Sequence, residues 1–178
     1  MIKKIVIIGP ESTGKSTLCS QLAAHYNTLW VPEFAREYLL KHSMDYTYDN
    51  LLTIAKGQIA LEEKFVAEVS VDGTTSEQKL FIDTDMYVMK VWCEFVFRKC
   101  HNFILDQIAA RHYDLYLLCN TDLPWVKDEL REYPDLESRN KLYHFYKELM
   151  INQATPWVDI SGDYEQRLQT AITSIDKL

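Results

Sequence analysis

The residues Gly9-Pro10-Glu11-Ser12-Thr13-Gly14-Lys15-Ser16 fit the pattern G-x-x-x-x-G-K-[ST] at every fixed position. Residue types at that spacing serve polyphosphate chemistry. Consecutive backbone N–H groups from Gly9 to Lys15 can curl around a phosphate, and the helix that follows adds unpaired N–H groups and the positive end of its dipole. Lys15 supplies a mobile cation for the outer phosphates, and the Ser16 hydroxyl can ligate Mg²⁺. Gly14 permits a backbone approach that a Cβ would block. Glu11, Ser12, Thr13 and Thr17 complete the stretch expected to surround a bound nucleotide, ATP. A chance match in a glycine-containing turn would not need the context found here. Ile5-Val6-Ile7-Ile8 reads as a buried strand before the loop, and Leu18, Leu22 and Ala23 fall on one face of a helix after it.

Further candidates follow along the chain. Glu33 and Arg36 come just after an apolar stretch ending at Val31, where ligands of open parallel sheets gather. Glu33 can take a proton from a substrate hydroxyl, and Arg36 can orient that substrate or hold a phosphoryl oxygen. A surface i,i+3 ion pair is the competing reading. Gln58 falls in the apolar stripe of a long helix and follows Gly57. Either the backbone is thinned for a ligand that Gln58 contacts, or neighbouring backbone satisfies the amide. Leu80-Phe81-Ile82-Asp83-Thr84-Asp85 is an apolar strand ending in acid, the second half of a phosphate-and-magnesium site. Asp83 and Asp85 are both candidates for the metal, and one of them can instead cap the next helix. Tyr87, within a turn of that pair, is a candidate wall for a ring. The proline-bounded charged segment over residues 121–139 suits a lid that swings Arg131 and Arg139 over transferring phosphates, against the plainer reading of a solvated loop.

These residues need elements to position them. Strand-like runs at Lys4–Ile8, Thr28–Val31, Leu80–Asp83, Leu115–Cys119 and Trp157–Ile160 alternate with amphipathic helical stretches. The alternation predicts an α/β, three-layer P-loop NTPase fold, with a mainly parallel five-stranded sheet flanked by helices and a small lid. Residues 1–178 read as one domain. Residues 70–79 read as a surface loop. The net charge of −7 and the absence of a basic stripe argue against nucleic acid as a partner. Cys19, Cys93, Cys100 and Cys119 form no C-x-x-C pair, which fits reduced thiols in a cytoplasmic protein. The chain enters a strand at once, so no leader is expected, and no apolar run is long enough to span a membrane.

Four blocks together resemble the ribosylnicotinamide kinase domain of the NadR family: Gly9 to Thr17, Pro32-Glu33-Phe34-Ala35-Arg36-Glu37-Tyr38, Ile82-Asp83-Thr84-Asp85, and Pro124-Trp125-Val126-x-Asp128-x-Leu130-Arg131. The resemblance runs from the first strand to the last helix. It implies transfer of the ATP γ-phosphoryl group to the 5′-hydroxyl of nicotinamide riboside, giving nicotinamide mononucleotide. Lys15, Glu33, Asp83 and Arg131 are then the catalytic candidates, and Arg139 joins the nucleotide-binding set. Glu33, Arg36, Gln58, Asp85, Tyr87 and Trp125 become the substrate-binding set, and Ser16 with Asp83 or Asp85 the Mg²⁺ set. Full-length family members carry an adenylyltransferase domain, some also a DNA-binding module, and neither is expected within these residues. A kinase of another nucleoside or small alcohol and a nucleotide-dependent regulatory ATPase stay open beside this reading. So do the choice of base between Glu33 and Asp83, and association into a homo-oligomer.

Overall fold

The structure, a computed structural model, describes residues 2–42, 45–71 and 78–178. Most of the surface loop expected over residues 70–79 lies outside them. Five parallel strands make one sheet in the order β2-β3-β1-β4-β5: β1 (Ile2–Ile8), β2 (Trp30–Val31), β3 (Gln78–Asp83), β4 (Leu115–Cys119) and β5 (Trp157–Ile160). β1 lies at the centre, with Ile7 level with Asp83 on one side and with Leu117 on the other. Among the described residues seven helices connect and cover the strands: α1 (Lys15–His25), α2 (Phe34–His42), α3 (Tyr48–Val71), α4 (Met86–Phe97), α5 (Asn102–Ala110), α6 (Leu136–Ile151) and α7 (Tyr164–Ile175).

Alternation along β1 builds the layers. Ile5 and Ile7 point to the face covered by Leu18 and Leu22 of α1 and Ala171 and Ile175 of α7. Val6 and Ile8 point to the opposite face, where α3, α4 and α6 pack through Val69, Val88, Val91, Leu142 and Tyr146. Strands buried on both faces are uniformly apolar, which is why the central runs are continuous rather than alternating. The three-layer expectation is met, and β4 and β5 have the bounds read from the sequence.

β2 is shorter than the expected Thr28–Val31. Thr28 is drawn off the ladder. Its N–H caps α1 by donating to the carbonyl of Ala23 at 2.9 Å, after the left-handed Asn27 (φ 50°), and its hydroxyl donates to the carbonyl of Lys79 at 2.6 Å. Only Trp30 and Val31 then pair, with Phe81 and Ile82.

Gly57 is not thinned for a ligand. A Cβ there would lie 2.2 Å from the ring of Phe34, the first residue of α2, so the missing side chain lets α2 pack on α3. An exposed helical glycine gains about 1 kcal/mol when changed to alanine. Gly57→Ala is expected to do the reverse, costing about 1–3 kcal/mol through overpacking. A lowered urea midpoint with an unchanged m-value checks this.

Candidate active site

The phosphate-binding loop joins the C-terminal end of β1 to α1. Gly9 (φ 139°) lies against β4: a Cβ would come within 2.7 Å of the Cys119 carbonyl. Gly14 (φ 78°) is the left-handed residue that starts α1, so neither position tolerates a side chain without strain. Inside the loop the Thr13 hydroxyl donates to the Pro10 carbonyl at 2.7 Å, and Lys15 Nζ donates to the same oxygen at 2.9 Å. Arg167 of α7, 2 % exposed, braces the loop from behind. Its guanidinium donates to the carbonyls of Thr13 (3.0 Å), Asn120 (3.0 Å) and Gly162 (2.7 Å) and pairs with Asp122.

Asp83 ends β3 beside this loop. The Ser16 hydroxyl donates to Asp83 Oδ2 at 2.5 Å, and Asp83 Oδ1 is buried with no hydrogen-bond partner among the described residues. A hydroxyl and a carboxylate with a free oxygen at the mouth of a phosphate loop form a donor set that fits Mg²⁺. Asp85, the other expected metal ligand, faces elsewhere. Thr84 between them is left-handed (φ 78°), which turns the two carboxylates apart. Asp85 caps α4, accepting from the N–H groups of Tyr87 (2.9 Å) and Val88 (3.3 Å) on Oδ1 and from the Tyr116 hydroxyl (2.8 Å) on Oδ2. Burial lifts its pKa to about 6, against the pull of those donors. Both of its oxygens are engaged, as the capping reading expects.

Glu33 immediately precedes α2. Burial raises its pKa, the nearby Asp83 carboxylate raises it further, and Lys15 and Arg36 pull it back. Burial likewise raises Asp83, offset by Lys15 and the Ser16 hydroxyl. Two carboxylates around one lysine, Asp83 buried and Glu33 half-buried, thus face a common space. Gln58, 1 % exposed, fixes the backbone of both. Its Oε1 accepts from Phe34 N–H at 2.8 Å, capping α2, and its Nε2 donates to the carbonyls of Pro32 (3.3 Å) and Asp83 (3.4 Å). The amide is therefore satisfied by backbone, the second of the two readings raised for it. Gln58→Leu is expected to cost about 1–3 kcal/mol from the stranded backbone groups. It should also lower kcat by about tenfold or more by loosening Glu33 and Asp83. Parallel denaturation and steady-state kinetics check this; a stability loss with unchanged kcat contradicts the positioning role.

The space is a cavity of about 440 Å³ running from the loop to an aromatic bay. Gly9 to Thr17, Glu33, Arg36, Asp83 and Arg131 line it, with Tyr46, Val91, Trp92, Phe95, Tyr133 and Tyr146 on the far walls. The expected wall residue Tyr87 does not line it. Tyr87 stacks edge-on against Tyr116, and the neighbouring face of α4, carrying Val88, Val91, Trp92 and Phe95, lines the cavity instead. Trp92 Nε1 donates to the Tyr46 hydroxyl (2.9 Å), which donates to Glu132 (3.0 Å). The aromatic stripe of α4 reads as core by its spacing, and only the distant partners Tyr46 and Glu132 reveal the bay.

The segment between β4 and α6 arches over this cavity. Arg36 meets Asp128 through two bonds of 2.9 and 3.2 Å, so in place of the competing local pair with Glu33 it reaches across to the arch. Arg131 donates to the Val126 carbonyl. Trp125 Nε1 donates to Glu11 at 3.2 Å. Arg139 lies within α6, 4 % exposed, and its Nε and Nη1 have no hydrogen-bond partner among the described residues. It does not line the cavity, whereas Arg131 does.

Over residues 4–167 the sequence matches the AAA domain family AAA_28. The chain belongs to that family. Its sequence is similar to the trifunctional NAD biosynthesis/regulator protein NadR of Salmonella typhimurium, 26 % identical over 185 residues. The Escherichia coli NadR is 25 % identical. In both, the match covers 99 % of this chain and 43 % of the relative, so the chain spans less than half the length of these proteins. Among solved structures it is similar to a NadR protein in complex with NR (TM-score 0.80, 23 % identity, 98 % of this chain and 49 % of that one). A NadR protein with NAD and AMP-PNP superposes with a TM-score of 0.76, at 22 % identity and the same coverage. The thymidylate kinase of Candida albicans superposes with a TM-score of 0.65 at 17 % identity, over 98 % of this chain and 91 % of that enzyme. The resemblance to NadR read from the four sequence blocks therefore holds along the chain, and the AAA_28 fold here is that of P-loop kinases. Among the described residues no helix is long and apolar enough to cross a membrane.

Proposed function

We propose that this AAA_28 chain is an ATP-dependent kinase that phosphorylates the 5′-hydroxyl of nicotinamide riboside. The observation that carries the reading is the cavity itself: a phosphate loop at one end, half-buried Glu33 and buried Asp83 in the middle, and an aromatic bay at the other. The NadR protein crystallised with NR supports the choice of acceptor. Charge supports it too. Five carboxylates (Glu11, Glu33, Asp83, Asp128, Glu132) line the cavity against three cations (Lys15, Arg36, Arg131), and Arg36 is already paired with Asp128. Such a lining favours a cationic or neutral ring over an acceptor that already bears a phosphate.

Lys15 and the loop amides hold the ATP phosphates, and Ser16 with Asp83 would hold Mg²⁺, which neutralises charge on the phosphates. Glu33, raised by burial, accepts the proton as the hydroxyl oxygen bonds to the γ-phosphorus and the bond to the departing ADP oxygen breaks. Its place at the start of α2, tied through Gln58 to the end of β3, favours it over Asp83, whose Oδ2 is engaged by Ser16. Arg131 lies on the cavity wall and serves the phosphoryl oxygens, while Arg139, buried in α6 away from the lining, has no part in this step.

ADP release measured with ATP and magnesium against nicotinamide riboside, thymidine, uridine and thymidine monophosphate tests the proposal. Stimulation by nicotinamide riboside above the others is expected. Stimulation by thymidine monophosphate alone would overturn the acceptor, and ADP release indifferent to every acceptor would favour a regulatory ATPase.

A further inference from the structure

Glu11 is chemically out of place, because a carboxylate within a phosphate-binding loop repels the phosphates the loop exists to hold. Its surroundings explain it. Oε1 accepts from the backbone N–H of Tyr133 at 2.8 Å and from Trp125 Nε1 at 3.2 Å, and Oε2 accepts from the backbone N–H of Glu132 at 2.8 Å. The next loop residue, Ser12, accepts on its hydroxyl from the N–H of Val126 at 2.9 Å. All four donors belong to the arch between β4 and α6. Two successive backbone N–H groups aimed at one carboxylate form an anion-binding concavity of the kind phosphates also use. Arg36 and Asp128 fasten the same arch to α2 on the acceptor side.

We propose that Glu11 and Ser12 are lid-docking residues: their side chains turn outward from the phosphate loop to hold residues 125–133 closed over the cavity. Glu11 is then a positioning residue that acts through the lid rather than through the nucleotide. When the lid is down, its charge is spread over three donors and no longer opposes the phosphates. When the lid lifts, the bare carboxylate stands beside them. Closure and productive nucleotide binding are coupled through this one side chain, and the closed lid keeps water from the γ-phosphorus. The catalytic part of this inference rests on the kinase reading above; the docking part does not.

The experiment has two arms on the full chain. The first is residue-resolved amide hydrogen exchange on the ligand-free protein, comparing wild type with Glu11→Gln and Glu11→Ala. The amides of Glu132 and Tyr133 are expected to exchange about tenfold faster or more in both variants, with α1 amides unchanged as the control for folding. Glu11→Gln keeps the size and removes the charge, so it separates docking from simple packing. Unchanged exchange at Glu132 and Tyr133 overturns the proposal. The second arm measures, with ATP, magnesium and nicotinamide riboside, the share of ATP lost as free phosphate against the share transferred. A rise in the free-phosphate share in Glu11→Ala supports the proposal. A loss of ATP affinity with an unchanged transfer share overturns it, because Glu11 would then act on the nucleotide. Failure of the wild type to phosphorylate any riboside refutes the kinase reading and leaves the first arm decisive for docking.

Discussion

Lys15→Ala is expected to lower kcat by at least about a hundredfold while the protein still melts cooperatively with its helical content intact. Among the described residues Lys15 Nζ donates only to the Pro10 carbonyl, so its loss breaks no element. Its cost falls on the phosphates, which lose their mobile cation, and on the carboxylates it faces. Lys15 pulls down the pKa of both Glu33 and Asp83, so its removal lets burial push both further up. The residual activity of the variant should therefore need a higher pH than wild type. Steady-state rates across pH, with circular dichroism on the same samples, check both parts. A Lys15→Ala enzyme with a full rate would contradict the assignment of the loop.

Glu33→Gln is expected to lower kcat by about a hundred- to a thousandfold, with KM for either substrate little changed, since the side chain acts on the proton in flight. The pH dependence has a defined sign. A general base works deprotonated, so kcat/KM rises with pH through its pKa. Burial and Asp83 raise that pKa, which places the acid limb above the ordinary glutamate range. In Glu33→Gln the limb due to this group should vanish. An effect confined to KM would make Glu33 a binding residue, and loss of the same limb in an Asp83→Asn variant alone would move the base to Asp83.

The parts of this molecule that depend on near neighbours in sequence were legible before any coordinates. Leu115–Cys119 and Trp157–Ile160 are short apolar runs with clear breaks, and the strands have those bounds. The phosphate loop was legible because its glycines, lysine and serine act within a single turn. What escaped depends on distant partners. For Gln58 the sequence leaves a ligand contact and backbone satisfaction both open, and the choice is made by backbone groups 24 to 26 residues away. Gly57 could not declare that it accommodates Phe34. That Asp85 caps α4 while Asp83 faces Ser16 goes with the left-handed Thr84 between them, a conformation that a threonine does not advertise. Glu11 reads from sequence as part of the nucleotide cradle, because nothing local reveals that Glu132 and Tyr133, more than a hundred residues on, point their amides at it. Tyr87, the candidate ring wall, packs against Tyr116, and Trp92 and Phe95 of the same helix face the cavity instead.

The most direct measurement is phosphorus NMR of the protein incubated with ATP, magnesium and nicotinamide riboside. The account predicts one phosphomonoester resonance, coupled to the 5′ methylene protons of the riboside and growing in step with ADP. ADP accompanied only by inorganic phosphate, or ATP left intact beside the riboside, would contradict it.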